Sequence, residues 1–139
     1  MTILDTNVVS ELMRSEALPQ VVRWVDAQPG NKLFTTAITV AEIYYGIELL
    51  PSGKRRNALV AAADAVFTGR FAGRVLAFNV AAAKSYAHIM AHRRAAGRPM
   101  SQSDAEIAAI ARTQDAALAT HNLADFEDCG IRLIDPWLA

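Results

Sequence analysis

Three carboxylates in this 139-residue chain stand out for the residues around them. Asp5 closes the opening run Met-Thr-Ile-Leu-Asp-Thr-Asn, so an acid ends the first apolar stretch and two small polar residues, Thr6 and Asn7, follow it. Glu42 ends Thr39-Val-Ala-Glu42, and Asp104 ends Ser101-Gln-Ser-Asp104. Singly, each has a structural explanation. Asp5 can cap a helix; Glu42 and Asp104 fit capping boxes, with Ser103-Asp-Ala-Glu106 a competing register for the second. Together they point to a different chemistry. Carboxylates held close repel one another, and a hard divalent cation relieves that; Mg²⁺ typically takes one or two carboxylates with several waters and a substrate phosphate. Such a site activates water and neutralises charge on a phosphodiester under attack, and Glu42 could orient the water or act as a base through it. Thr6, Asn7, Ser103, Thr120 and Asn122 supply the small polar groups that fix carboxylate orientation.

Bringing these acids together requires strands alternating with helices, and the sequence reads that way. Strands are predicted over residues 2–4, 33–36, 75–78, 117–120 and 131–134. Helices are predicted over 8–13, 18–27, 40–50, 54–67, 80–96 and 101–112, with a short helical turn at 123–126. Pro29-Gly30, Pro51-Ser52-Gly53 and Gly97 with Pro99 punctuate them. Alternation of this kind predicts an α/β fold with a parallel sheet covered by helices. Ligands of such sheets lie beyond the carboxyl ends of the strands, at a switch in strand order. Asp5 falls at that edge, with Glu42 and Asp104 in the first turns of two helices that start there. No repeat, linker or composition break divides the chain, so residues 1–139 read as one domain.

Net charge is zero but unevenly spread: residues 1–52 carry −3, residues 53–103 carry +8, and residues 104–139 carry −5. A basic middle between acidic ends suits a nucleic-acid surface beside a carboxylate cluster, or else bases that merely solvate helix faces. Arg93, Arg94 and Arg98, clustered before the Asp104 helix, are the candidate phosphate contacts. No apolar run is long enough for a bilayer, residues 1–20 lack a signal-peptide layout, and the lone Cys129 cannot form an internal disulfide. These features predict a soluble cytoplasmic protein.

Ile-Leu-Asp-Thr-Asn-Val-Val-Ser-Glu at 3–11, Thr-Val-Ala-Glu at 39–42, Asp104 near a helix start, Ala-Thr-His-Asn-Leu-Ala-Asp-Phe at 119–126 and the terminal Asp135-Pro-Trp137 stand in family-like order. They resemble the PIN-domain ribonucleases, most of all the VapC/FitB-type toxins of type II toxin–antitoxin operons. The resemblance implies a three-layer α/β/α sandwich, usually a homodimer, and Mg²⁺- or Mn²⁺-dependent RNA endonuclease activity blocked by a VapB-type antitoxin. Carried over by position, Asp5 and Asp104 are metal ligands, Glu42 completes the acidic triad, and Thr6 supports the site. Some relatives carry a fourth acid where this chain has Asn122, and the next acid here is Asp125. Relatives often show Arg at the position of His121, which makes that histidine a candidate phosphate contact.

Other features support less. His88 and His92 have a zinc-compatible spacing, but no Glu follows His88 and no third ligand is evident. Trp24 and Trp137 read as packing residues. A small-molecule phosphatase is disfavoured because Thr6-Asn7, rather than a second Asp, follows the strand-one acid. A receiver domain needs a late catalytic lysine, and no lysine follows Lys84. A domain that binds RNA but cuts poorly is the remaining alternative, suggested by Asn122.

Overall fold

The strands are short and apolar on both faces, which is how a sheet covered on both sides is encoded. The computed structural model describes all 139 residues. Five strands, β1 (Thr2–Leu4), β2 (Leu33–Thr36), β3 (Val75–Leu76), β4 (Ala117–Ala119) and β5 (Leu133–Ile134), form one sheet in the order β3-β2-β1-β4-β5. Every pairing is parallel. The connections are helical: α1 (Thr6–Leu12), α2 (Pro19–Ala27), α3 (Ala37–Glu48), α4 (Lys54–Ala65), α5 (Val80–Ala95) and α6 (Gln102–Thr113).

Successive strand residues point to opposite faces, and they divide the interior into two cores. Ile3 and Leu118 face one side, where they pack with Ala82 and Ile89 of α5 and the small residues Ala105, Ala108, Ala109 and Ala111 of α6. Leu4, Leu33 and Ala119 face the other, against Val8 and Val9 of α1, Val21 and Val25 of α2, and Ile43 and Ile47 of α3. The expected three layers are therefore present, with β1 at the centre. The chain leaves β1 toward β2 and β3, then crosses back to β4, so the switch in strand order lies between β1 and β4. No helix is long and apolar enough to cross a membrane.

Two helix starts differ by two or three residues from the sequence reading. Helix α1 begins at Thr6, not residue 8, because Asp5 caps it directly: its backbone is extended and its carboxylate accepts from Thr6 N–H. Helix α3 begins at Ala37, not residue 40, because Thr36 at the end of β2 is the cap, accepting from Thr39 N–H at 3.1 Å. The Thr39–Glu42 capping box is thus incorrect. Glu42 lies in the second turn rather than the first, and its side chain is free to bond elsewhere. Ser101 does cap α6, with Asp104 in the first turn. Helix α5 ends where Gly97 turns with φ +73°, a conformation that costs glycine nothing.

Candidate active site

Asp5 is fixed by the two elements that flank the switch point. As the cap of α1 it accepts through Oδ1 from Thr6 N–H at 2.8 Å, and through Oδ2 from the Thr120 hydroxyl at 2.8 Å. Thr120, fully buried after β4, also accepts from Asn7 Nδ2 at 3.3 Å and Asn122 N–H at 3.1 Å. Its hydroxyl is saturated, one hydrogen given and two received. Burial pushes the Asp5 carboxyl up to about 6, against the Thr120 and Thr6 hydrogen bonds, and the charges of Asp104 and Glu42 raise it further.

Glu42 is held by a row of threonines. Thr6 Oγ1 donates to Glu42 Oε1 at 2.7 Å and lies 3.0 Å from Thr39 Oγ1. Thr6 has one hydroxyl hydrogen, so Thr39 donates to it. Thr36 in turn donates to Thr39 Oγ1 at 3.5 Å. The hydroxyls thus point one way, from the end of β2 through α3 to α1, and end on a carboxylate that only accepts. Thr36 and Thr39 are fully buried, and this row, rather than a capping box, is what Thr39 serves.

Asp104 sits one turn into α6. Half-burial raises its carboxyl above the usual range; Ser101 lowers it, the charges of Asp125 and Glu42 raise it, and Arg93 lowers it. Asp5, Thr6, Asn7, Glu42, Asp104 and Asn122 line one cleft of about 560 Å³ together with Ser10, Glu11, Arg14 and Trp137. Nearly all donors on this wall are oxygens, with no thiol or imidazole, a set that suits a hard cation. No three His, Cys, Asp or Glu side chains form a group that could hold an ion by themselves.

Several expected residues lie elsewhere. Asp125 is not on the cleft wall, although its charge reaches Asp104. Arg93 is a correction: it is 4% exposed, and its guanidinium donates to the carbonyls of Arg98, Asp125 and Glu127. It braces the turns before α6 and after β4 and cannot reach a phosphate. Arg94 is exposed; Arg98 is exposed and pairs with Glu127 at 2.8 Å. His121 lies at the rim, its ring against Asp135 and Trp137. His92 pairs with Asp128 at 2.8 Å.

Glu11, the last residue of the 3–11 motif, has a role that the sequence reading does not assign. Buried at the end of α1, it accepts from Arg14 with both oxygens at 3.1 Å and from Leu18 N–H at 3.1 Å, pinning the turn into α2. The signal was present: Asn7, Ser10, Glu11 and Arg14 recur at three and four residues, a polar stripe on an otherwise apolar segment.

Residues 2–130 match the PIN domain model. The chain belongs to the PIN domain family. Among its PIN relatives, the plasmid stability protein StbB of Pseudomonas syringae is 42% identical over all of both chains. The VapC ribonuclease Y4jK of Sinorhizobium fredii is 39% identical over 99% of this chain and 98% of its own. Toxin FitB of Neisseria gonorrhoeae is 34% identical over 99% of each. A crystal structure of FitAcB from the same organism superposes on this PIN fold with a TM-score of 0.92 at 34% identity, covering all of both chains.

Proposed function

We propose that this PIN protein is the ribonuclease toxin of a toxin–antitoxin pair and hydrolyses RNA phosphodiester bonds with a divalent cation, Mg²⁺ or Mn²⁺. The observation that carries the reading is the convergence of Asp5, Glu42 and Asp104 on one cleft at the strand switch, with Asp5 raised by burial and by the other two acids. Family membership and the toxin and ribonuclease relatives support it.

Asp5 and Asp104 are the residues that would hold the cation, with Asn122 on the same wall and Asp125 nearby. When bound, the cation supplies a lowered water pKa and charge neutralisation at the scissile phosphate. Asp5, locked by Thr6 and Thr120, presents its carboxylate without rotamer freedom to lose. Glu42, fixed by the threonine row, orients the attacking water and can take its proton. Asn7 ties α1 to the β4 turn by accepting from His121 N–H at 3.3 Å and donating to Thr120. Arg94 and Arg98 are retained as phosphate contacts, and His121 stays at the rim.

A VapB-type antitoxin has a place to dock. An apolar groove of about 230 Å³, walled by Met13, Ile43, Ile47, Leu50 and Leu59, adjoins the cleft and shares Thr6, Ser10, Arg14 and Glu42 with it. A segment laid there covers the approach to Glu42. In this reading the protein acts in the cytoplasm as a homodimer, and exposed Tyr45 of α3 and Leu49 just after it are apolar surface for a second copy to bury. Asn122, neutral on the cleft wall, favours one second reading: a PIN domain that binds RNA without cutting it.

Cleavage by wild type separates the two readings, and Glu42→Gln tests the role of Glu42 in the first. Cleavage of a mixed RNA pool should fall at least a hundredfold, the usual scale of general-base loss, while RNA binding measured by filter retention stays within a few-fold. Full activity in the variant removes Glu42 from the mechanism.

A further inference from the structure

Trp137 is the single hydrophobic residue on a cleft wall that is otherwise polar. It sits between two layers. On one side it packs against the core that contains Leu4, Val8 and Val9. On the other, the His121 imidazole lies over its indole, ring centroids 4.3 Å apart and planes inclined by 26°. His121 remains half exposed, so the stack of core, indole and imidazole ends in an open aromatic face at the rim of the carboxylate cleft.

That face is held rigidly. His121 Nδ1 donates to both oxygens of Asp135 at 3.3 Å, which stops the ring turning in its plane. Asp135 is itself 8% exposed and accepts from Trp137 N–H at 2.9 Å. One carboxylate therefore sets the positions of both rings. The backbone behind them is fixed by Thr120 N–H donating to Ile134 at 2.9 Å and by His121 N–H donating to Asn7. An arginine at position 121 would offer a mobile charge. This histidine has one nitrogen committed to Asp135 and one ring face committed to Trp137, so what it offers outward is mainly a flat surface.

Flat, sequence-tolerant aromatic surfaces next to a phosphate-cutting site are where single-stranded RNA is read, because every unpaired base has a π-face to stack. We propose that His121, backed by Trp137 and positioned by Asp135, is a stacking subsite for one unpaired nucleobase of the RNA next to the scissile phosphate. The subsite rests on the ribonuclease reading and assigns the base contact within it to one residue, His121.

The test uses the full-length protein and a single-stranded ribododecamer carrying 2-aminopurine at every third position, whose fluorescence drops when a labelled base stacks. Binding is followed in EDTA and in Mg²⁺, beside cleavage of a mixed RNA pool. Wild type and His121→Phe should bind and quench alike. His121→Ala should lose the quench and bind about tenfold more weakly, the scale of one aromatic stack. His121→Lys should not restore either. Retained affinity in His121→Lys with loss in His121→Phe would overturn the proposal in favour of a phosphate contact. Equal binding and no quench in all four proteins would overturn it outright. Wild type that cleaves the pool in Mg²⁺ yet leaves the dodecamer unquenched defeats only the stacking subsite. Wild type that neither cleaves nor binds defeats the ribonuclease reading as well. Matching thermal melts establish that the variants are folded.

Discussion

Asp5 is both a helix cap and a buried acid, and the two roles make opposite demands on its charge. Capping and the Thr120 bond favour the carboxylate, whereas burial and the neighbouring acids favour the neutral form; burial wins, placing the folded pKa at about 6 against an ordinary 3.8. A raised folded pKa means that, over this range, the folded state holds a proton the unfolded chain has lost. Stability from this group is therefore greatest below the ordinary value and declines as pH rises from about 4 to about 6, by about 3 kcal/mol in all. Asp5→Asn mimics the neutral acid but gives up the Thr120 hydroxyl's acceptor, worth about 1 kcal/mol. Without metal, the variant should be more stable than wild type by about 2 kcal/mol at pH 7.5, and the advantage should vanish below pH about 4. Urea titrations at the two pH values check this; a destabilised variant at pH 7.5 would mean that capping dominates. The arginines divide just as sharply. Arg93→Met takes the guanidinium from three carbonyls, of which only that of Glu127 keeps another donor, the Cys129 thiol; it should cost about 3 kcal/mol, with no specific loss of RNA affinity beyond unfolding. Arg94→Ala should leave the melting temperature unchanged and reduce the salt slope of RNA binding by about one.

The elements show why some positions were legible and others not. Helix α6 was read nearly to the residue because Ser101 and Asp104 are spaced as cap and first-turn acid, and the structure uses them so. Helix α3 presents two threonines, Thr36 and Thr39, either of which satisfies a cap by local chemistry. The choice was settled by where β2 ends, which is tertiary information. The early start of α1 has the same origin: Asp5 is strand end, cap and site residue at once, and sequence patterns assign one role at a time. Arg93 looked like surface because Arg93, Arg94 and Arg98 form a basic run. Only the packing of α5 against the turn at 123–126 determines which of them is buried. Asp5, Glu42 and Asp104 were legible as a set because the strand–helix alternation alone sends them to one edge. The threonine row behind Glu42 was not, since its links run between α1, α3 and β2. Ser101→Ala tests the α6 reading: loss of the cap should lower stability by about 1 kcal/mol. Because Ser101 also lowers the Asp104 carboxyl, Mn²⁺ affinity should fall in the same variant, measurable by calorimetry. An unchanged melt would place the cap elsewhere.

For the whole molecule, the parallel sheet, the order β3-β2-β1-β4-β5 and the switch beside β1 make the carboxylate cleft the natural site of chemistry. The two cores hold β1 and β4 from both faces, so Asp5 and Thr120 meet with little freedom. The apolar groove next to Glu42 and the aromatic stack of Trp137 and His121 adjoin that cleft from different elements. All of this depends on the acids acting through a divalent cation. Purified, antitoxin-free protein should therefore be given a mixed tRNA and ribosomal RNA pool with Mg²⁺, Mn²⁺ or EDTA, beside Asp5→Asn. Discrete products that require the cation and disappear in the variant are the predicted result; cleavage that persists in EDTA or in Asp5→Asn would contradict it.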